Sequence, residues 1–325
     1  IDYPPAPFEY PGRLHILRPF LAVAPHSKVA LAQPNSRAIT VKSPSGDIYD
    51  SSYNSRQMTD EIRTGLENFL LGDVSSQLVS TIRNSSDRET LVVVDGPIYA
   101  TPPILKYTSG IMVRYQNAWI SLITERLNAI KRCFDLNLPI VGVVKRIERS
   151  RMLAKGPDYV NEVRSKLNLD ITALNDQAAI TVIIERALAK GVILRPHRPL
   201  LIGPLAASAS GLGVADRIPG TPDKIFSYVA IPSHGYEPHY GIFRLETTAK
   251  VFDSMSGDSH FSEVIGDTVE HQSLLPGCIV RVDNRCGRWA SSLFKIVCRS
   301  MLEGGLGLTY STMDLLNQIK EGAAL

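Results

Sequence analysis

Leu91-Val92-Val93-Val94-Asp95-Gly96-Pro97 decides how this chain is read. A leucine and three β-branched valines bounded by turn residues predict a buried central strand. A carboxylate placed where such a strand gives way to Gly-Pro falls at the C-terminal edge of the sheet, where open α/β sheets bind ligands. Gly96 permits a sharp turn and keeps the space beside the carboxylate clear of a side chain. Taken alone, V-V-D-G reads as an aspartate that opens a turn and caps the next segment. The case for chemistry therefore rests on what accompanies Asp95.

Downstream, Trp119 to Phe134 places Ile120, Ile123, Leu127, Ile130 and Phe134 at three-to-four spacing, which predicts an amphipathic helix. It leads into a second buried-strand signature, Leu138–Val144, ending in Lys145-Arg146. Strand, helix, strand in this order is a βαβ unit with neighbouring parallel strands. Upstream, residues 1–50 read as an antiparallel meander, with short strands over Leu14–Ala24, Lys28–Ala32 and Ala38–Val41. Thr59–Leu71 turns helical, with Thr59 or Asp60 as N-cap and an apolar stripe of Ile62, Leu66, Phe69 and Leu70. A further helix is expected over Val74–Arg83.

Past the second strand, Gln177–Lys190 predicts a helix stopped by Gly191. Residues 196–238, rich in Pro, Gly, Ser and Ala, read as an irregular, loop-rich insertion within a single domain over 1–325. Tyr240–Leu245 and Cys278–Val282 read as strands, and Gly287–Leu302 and Ser311–Lys320 as closing helices.

Composition sets bounds on function. Hydrophobic residues at 44% and charged residues at 21% exclude a disordered chain. A net charge of +3 implies no polyanion partner by itself, so a nucleic-acid site has to come from local clustering of Lys and Arg. Cys133, Cys278, Cys286 and Cys298 form no C-x-x-C pair, which argues against a zinc ribbon or a thioredoxin motif. They read as reduced thiols, with a Cys278–Cys286 bridge left open. No apolar run spans a bilayer and no signal peptide is visible, so a cytoplasmic protein without membrane contact is expected. The chain begins at Ile1-Asp2 without Met, and residues upstream are expected.

The residues that can carry chemistry are Asp2, Glu61 or Glu67, Asp95, Lys145 and an acidic residue near the C-terminus. Glu61 and Glu67 lie on one helix, too far apart to share a position on its face. Clustered carboxylates in a partly open shell suit Mg²⁺ or Mn²⁺, and two such ions can activate water and stabilise the leaving oxygen of a phosphodiester. A lysine beside them neutralises a non-bridging phosphate oxygen. Arg146, Arg149 and Arg151 follow Lys145 and can grip a nucleic-acid backbone; judged alone, they equally describe a solvated helix start. Tyr107, Tyr115 and Trp119 can stack on bases or simply pack. Gly304–Gly307 lacks the G-K-[ST] of a P-loop, and Ser208 and Ser210 lack the elbow of a hydrolase.

With these residues in view, the sequence resembles the NurA nuclease family, archaeal DNA-end-processing enzymes that work with the HerA-type hexameric ATPase. V-V-V-D-G-P-I (Val92–Ile98) is similar to the family's second aspartate motif, and G-V-V-K-R (Gly142–Arg146) to its lysine-bearing segment. The helix E-I-R-T-G-L-E (Glu61–Glu67) occupies the place of its glutamate. The resemblance implies a ribonuclease-H-like α/β fold, a mixed sheet flanked by helices. It implies Asp2, Glu67 (or Glu61), Asp95 and Asp314 as ligands of Mn²⁺ or Mg²⁺, with Lys145 catalytic. Glu67 is preferred for its L-E-x-x-L context. Asp2 is followed by Tyr3-Pro4 and not by the family's Gly-Ser, and the C-terminal segment has Tyr310 and Asp314 where the family has Tyr and His.

The function so implied is a metal-dependent DNA nuclease, a 5′-to-3′ exonuclease and single-strand endonuclease, that trims 5′ strands at double-strand ends in recombinational repair. A homodimer docked on the ATPase is implied with it. Two alternatives stand beside this reading. One is a catalytically degenerate partner that docks on the ATPase or binds DNA ends. The other is an unrelated α/β enzyme with a closed pocket for a small phosphorylated substrate.

Overall fold

The structure, a computed structural model, describes residues 2–3, 12–17, 37–42, 63–72, 90–100, 111–193, 197–233 and 239–303. The chain clusters into two compact units, Ile1–Leu78 with Arg281–Leu325, and Val79–Val280. The expected strand over Lys28–Ala32 and the helices over Val74–Arg83 and Ser311–Lys320 lie outside the described residues.

The first unit holds a three-stranded antiparallel sheet in the order β1 (Asp2–Tyr3), β2 (Gly12–Leu17), β3 (Arg37–Lys42). Leu14 is paired with Thr40 and Ile16 with Ala38, so the expected meander is present in these strands. Helix α1 (63–72) buries Leu66 and Leu71. Phe69, expected in the apolar stripe, instead stands exposed.

The second unit is a five-stranded mixed sheet ordered β4-β5-β8-β7-β6. Strands β4 (Val92–Asp95) and β5 (Ile140–Val144) are parallel, with Val92 opposite Ile140 and Asp95 opposite Val143, and helix α2 (Ile111–Asp135) connects them. This is the βαβ unit the sequence predicts. The remaining strands, β6 (Leu200–Ala207), β7 (Lys224–Pro232) and β8 (Tyr240–Thr248), run antiparallel, and β8 pairs antiparallel with β5.

Within residues 196–238, expected to be loop-rich throughout, lie the strands β6 and β7, joined by a turn-rich stretch over 208–223. Gly211, Gly213, Pro219, Gly220 and Pro222 lie in that turn-rich stretch, and Pro204 and Pro232 sit where strands tolerate proline. Pro204, after a cis Gly203–Pro204 bond, lies in the outermost described strand at the β6 register shift. Pro232 ends β7 where the β7–β8 hairpin begins. Between Lys224 and Pro232 the chain is almost entirely buried on both faces, so it shows no polar alternation.

Helices cover both faces. On one, Val160, Val163 and Leu167 of α3 (Pro157–Leu167) and Ile180, Ile183 and Ile184 of α4 (Asp176–Ala189) pack with Phe226, Tyr228 and Ala230. On the other, Phe261 and Val264 of α6 (Gly257–Glu270) pack with Val141, Val143, Val229, Ile231, Phe243 and Leu245. Alternation along β7 assigns its residues to the two faces. Each fully buried Val, Leu, Ile or Phe contributes about 1.5–3 kcal/mol, so these two clusters carry the unit's stability. The short helix α5 (Ala249–Ser254) is capped by Thr248, and α4 by Asn175, whose Oδ1 accepts from Ala178 N at 2.8 Å.

Cys278–Val282 also needs correction. It is not a strand but the first turns of α7 (Gly277–Glu303). A short apolar run does not distinguish a strand from a buried helix segment. Here Ile279 N and Val280 N both donate to Pro276 O, and the Asp267 carboxylate accepts from Cys278 N at 2.9 Å, which starts the helix. Cys278 and Cys286 both lie on this helix as thiols. Among the described residues, no helix is long and apolar enough to cross a membrane.

Candidate functional site

Because β4 and β5 are parallel, their C-terminal ends open on one margin of the sheet. Asp95 closes β4 there, opposite Val143. Lys145 follows β5 two residues past Val143 and so leaves the strand on the same side. Its Nζ lies 2.9 Å from Asp95 Oδ2, and the side chains remain 36% (Asp95) and 23% (Lys145) exposed. The two residues that the sequence singles out from separate motifs thus form one charged pair in reach of solvent.

The backbone after Asp95 is specified tightly. Gly96 adopts φ +130°, which favours glycine, and its N–H donates to Val143 O at 2.8 Å. The chain then crosses over β5 at Gly142. A Cβ there would stand 2.7 Å from both Gly96 O and Ile98 N, so no side chain fits under the crossing. Ile98 and Tyr99 arrive fully buried beside β8. Ile98 N donates to Glu246 Oε2 at 3.1 Å, and Lys224 Nζ donates to Tyr99 O at 2.7 Å and to Glu246 Oε2 at 2.9 Å. Lys224 also lies 4.3 Å from the centre of the Tyr99 ring, whose hydroxyl donates to Pro222 O.

The basic segment is anchored as firmly. Arg146, Arg149 and Arg151 are exposed, whereas Ile147 between them is buried in the core. Ser150 O accepts from Asp176 N at 2.8 Å, and the Asp176 carboxylate accepts from Met152 N at 3.1 Å and Leu153 N at 3.0 Å. Arg244 joins the two regions. Its Nε donates to Glu246 Oε1 at 2.8 Å, and its Nη1 donates to Ser150 Oγ at 2.8 Å and reaches Asp176 Oδ2 at 3.3 Å. Tyr228 donates its hydroxyl to Asp176 as well.

Asp176, Arg244, Glu246 and Lys224 are thus a buried quartet of two anions and two cations. Burial pushes the Glu246 carboxyl up, but Lys224, Arg244 and the Ile98 N–H outweigh it and hold the group below the usual carboxylate range. Burial holds the Lys224 ammonium below its usual range despite Glu246. These four residues do not stand out in the sequence reading. The signal that could have found them is Arg244-x-Glu246 inside an apolar strand: at spacing two, both charges must fall on one buried face.

The other expected site residues are placed as follows. Asp2 is in β1 of the first unit, in register with Arg13, and Glu67 is half-buried on α1 of the same unit. Glu61 and Asp314 lie outside the described residues, as do Tyr107, Tyr310 and Gly304–Gly307. Among the described residues, no three or more His, Cys, Asp or Glu side chains are grouped to hold a metal ion. Among the described residues, Asp95 places a carboxylate at this margin, an oxygen donor of the kind Mg²⁺ and Mn²⁺ take.

An α/β unit that presents a carboxylate and a lysine at the ends of adjacent parallel strands, followed by a basic segment, has the charges with which a phosphate oxygen can be met. The NurA domain matches residues 19–286. The chain belongs to this family of DNA-processing nucleases. Asp95, Lys145 and Glu67 fall inside the matched residues, and Asp2 and Asp314 outside them. No curated protein and no solved structure matches the chain.

Proposed function

We propose that this chain is a divalent-metal-dependent DNA nuclease with Asp95 and Lys145 at its reacting centre. The observation that carries the reading is the 2.9 Å Asp95–Lys145 pair, open to solvent at the C-terminal margin of two parallel strands, in a chain of a nuclease family. In this scheme Lys145 sets a positive charge where negative charge develops on a phosphate oxygen. Arg146, Arg149 and Arg151 contact the backbone of the strand and hold it in register. Asp95, with Asp2, Glu61 or Glu67 and Asp314 as the further proposed ligands, would hold Mg²⁺ or Mn²⁺, which would supply activation of water and stabilisation of the leaving oxygen. The finer parts of the proposal rest on the family resemblance: a ribonuclease-H-like sheet, 5′-to-3′ exonuclease and single-strand endonuclease action in end resection, a homodimer, and a HerA-type ATPase partner.

The test is cleavage of single-stranded and 5′-tailed duplex DNA with Mn²⁺, with Mg²⁺ and with excess chelator. Cleavage that requires the ion is expected. Intact DNA under every condition refutes the nuclease reading and leaves the degenerate docking partner, which Tyr3-Pro4 after Asp2 favours.

A second expectation concerns the basic segment. Replacing Arg146, Arg149 and Arg151 together by alanine should weaken DNA binding for all sequences alike. On single-stranded DNA the slope of log K against log salt should flatten by about 0.7 for each phosphate the variant no longer neutralises. An unchanged slope in a filter-binding or anisotropy titration would show that these arginines do not touch the backbone.

A further inference from the structure

The buried quartet sits under both halves of the proposed site, and its two ends hold different segments. At one end, Glu246 and Lys224 take the Ile98 N–H and the Tyr99 carbonyl, three and four residues after Asp95. At the other, Asp176 takes the N–H groups of Met152 and Leu153, immediately after Arg151. Arg244 bridges them and also binds Ser150. Glu246 and Asp176 are fully buried, and their oxygens are already occupied by these donors.

We infer that this quartet is a two-armed positioning device: Glu246–Lys224 sets the Asp95 segment for the chemical step, and Asp176 sets the arginine segment for gripping the nucleic-acid backbone. The inference rests on the nuclease reading above. A quartet that served stability alone would be replaceable by apolar side chains of similar volume at little cost. Here, however, each arm ends on backbone groups of a functional segment. Once Gly142 has removed any side-chain support beneath the crossing, the described bonds that fix residues 98–99 from β7 and β8 come from Lys224 and Glu246. These four are positioning residues and touch no substrate.

The two arms predict opposite kinetic defects. Lys224→Met keeps the side-chain volume and leaves Glu246 paired with Arg244. It should lower kcat by up to ~10²-fold, as expected for a misplaced catalytic group, with KM within about twofold. Asp176→Asn should raise KM for DNA roughly tenfold through a weaker grip on the phosphates, with kcat within about twofold. Amide hydrogen exchange gives a readout that does not depend on activity. Lys224→Met should speed exchange over residues 96–99 and leave 146–153 protected, and Asp176→Asn should do the reverse. Should either first variant fail to fold, Tyr99→Phe, which takes from the 98–99 segment its hydroxyl bond to Pro222 O, and Tyr228→Phe, which takes one donor from Asp176, give milder perturbations of the same two segments.

A fall in kcat together with a rise in KM in both variants, or exchange that rises over both segments alike, overturns the inference in favour of a uniform structural role. DNA left intact by the unaltered protein under every ion condition, with the split exchange pattern present in the two variants, would instead overturn the nuclease reading and leave the two-armed support standing.

Discussion

Asp95→Asn should abolish cleavage, by at least ~10²-fold, while the protein stays folded and still binds DNA. Asparagine preserves the size of the side chain and one acceptor oxygen, so Lys145 keeps a hydrogen-bond partner. What disappears is the negative charge and the second anionic oxygen, the features that a hard divalent cation or an attacking water requires. The cost to stability is small because the pair is solvent-exposed: ion pairs at such sites contribute about 0–1 kcal/mol. Circular dichroism and the urea midpoint should therefore match wild type, and the arginine segment, untouched, should keep its DNA affinity. Cleavage at the wild-type rate by a folded Asp95→Asn protein would remove Asp95 from the reaction. Inactivity together with unfolding would not count in favour of the assignment, which is why the midpoint is measured alongside the rate.

The same variant shows what the sequence can and cannot disclose. The β4–α2–β5 unit is local information. An apolar run, an amphipathic helix and a second apolar run lie in order along the chain, and each is specified by residues near in sequence. From it the shared margin of Asp95 and Lys145 follows, because parallel neighbours bring their C-terminal ends together. Gly96 and Gly142 are both visible in the sequence, but only the first announces its role. Gly96 stands at a strand end, where a turn is expected. Gly142 lies mid-strand, and its reason is the crossing backbone of residues 96–98, an approach that no local pattern encodes.

The quartet is hidden for a related reason. Asp176 looks like an ordinary first-turn acid of α4, beside its Asn175 cap. Lys224 opens a strand as any solvated lysine might. The antiparallel pairing of β7 with β8, with Phe226 opposite Glu246 and Tyr228 opposite Arg244, and the packing of α4 on that sheet bring their charges together out of water. The departures over 200–207, 224–232 and 278–282 have the opposite origin. There, local composition points one way and tertiary placement decides the other, because an outermost strand tolerates proline and a buried apolar run serves a helix as well as a strand. Asp2 and Glu67, expected as ligands from the resemblance, lie in the unit built from the meander and α1, whereas Asp95 and Lys145 lie in the other.

Arg244→Met should be the most destabilising single change in the second unit. Arg244 is one of two cations facing two fully buried carboxylates, and its guanidinium touches both of them along with Ser150 and Tyr228. Methionine retains much of the volume but leaves Lys224 alone against Asp176 and Glu246. Breaking a buried ion pair from one side costs about 3–5 kcal/mol, a large share of the ~5–15 kcal/mol that holds a domain folded. The urea midpoint should fall accordingly.

The pH dependence separates this mechanism from simple loss of packing. In wild type the Glu246 carboxyl titrates below its unfolded value of about 4.3, so its contribution is complete above that pH and is lost as pH falls through the lower folded value. In Arg244→Met the upward push of burial meets one cation fewer, and Glu246 titrates at higher pH. Acidification then relieves a charge that the variant cannot neutralise, while it removes stabilisation from wild type. The deficit of the variant should be largest near pH 7 and should shrink toward about pH 4. A deficit constant across that range would assign the loss to a cavity, and a midpoint equal to wild type near pH 7 would mean that Lys224 alone can balance both carboxylates.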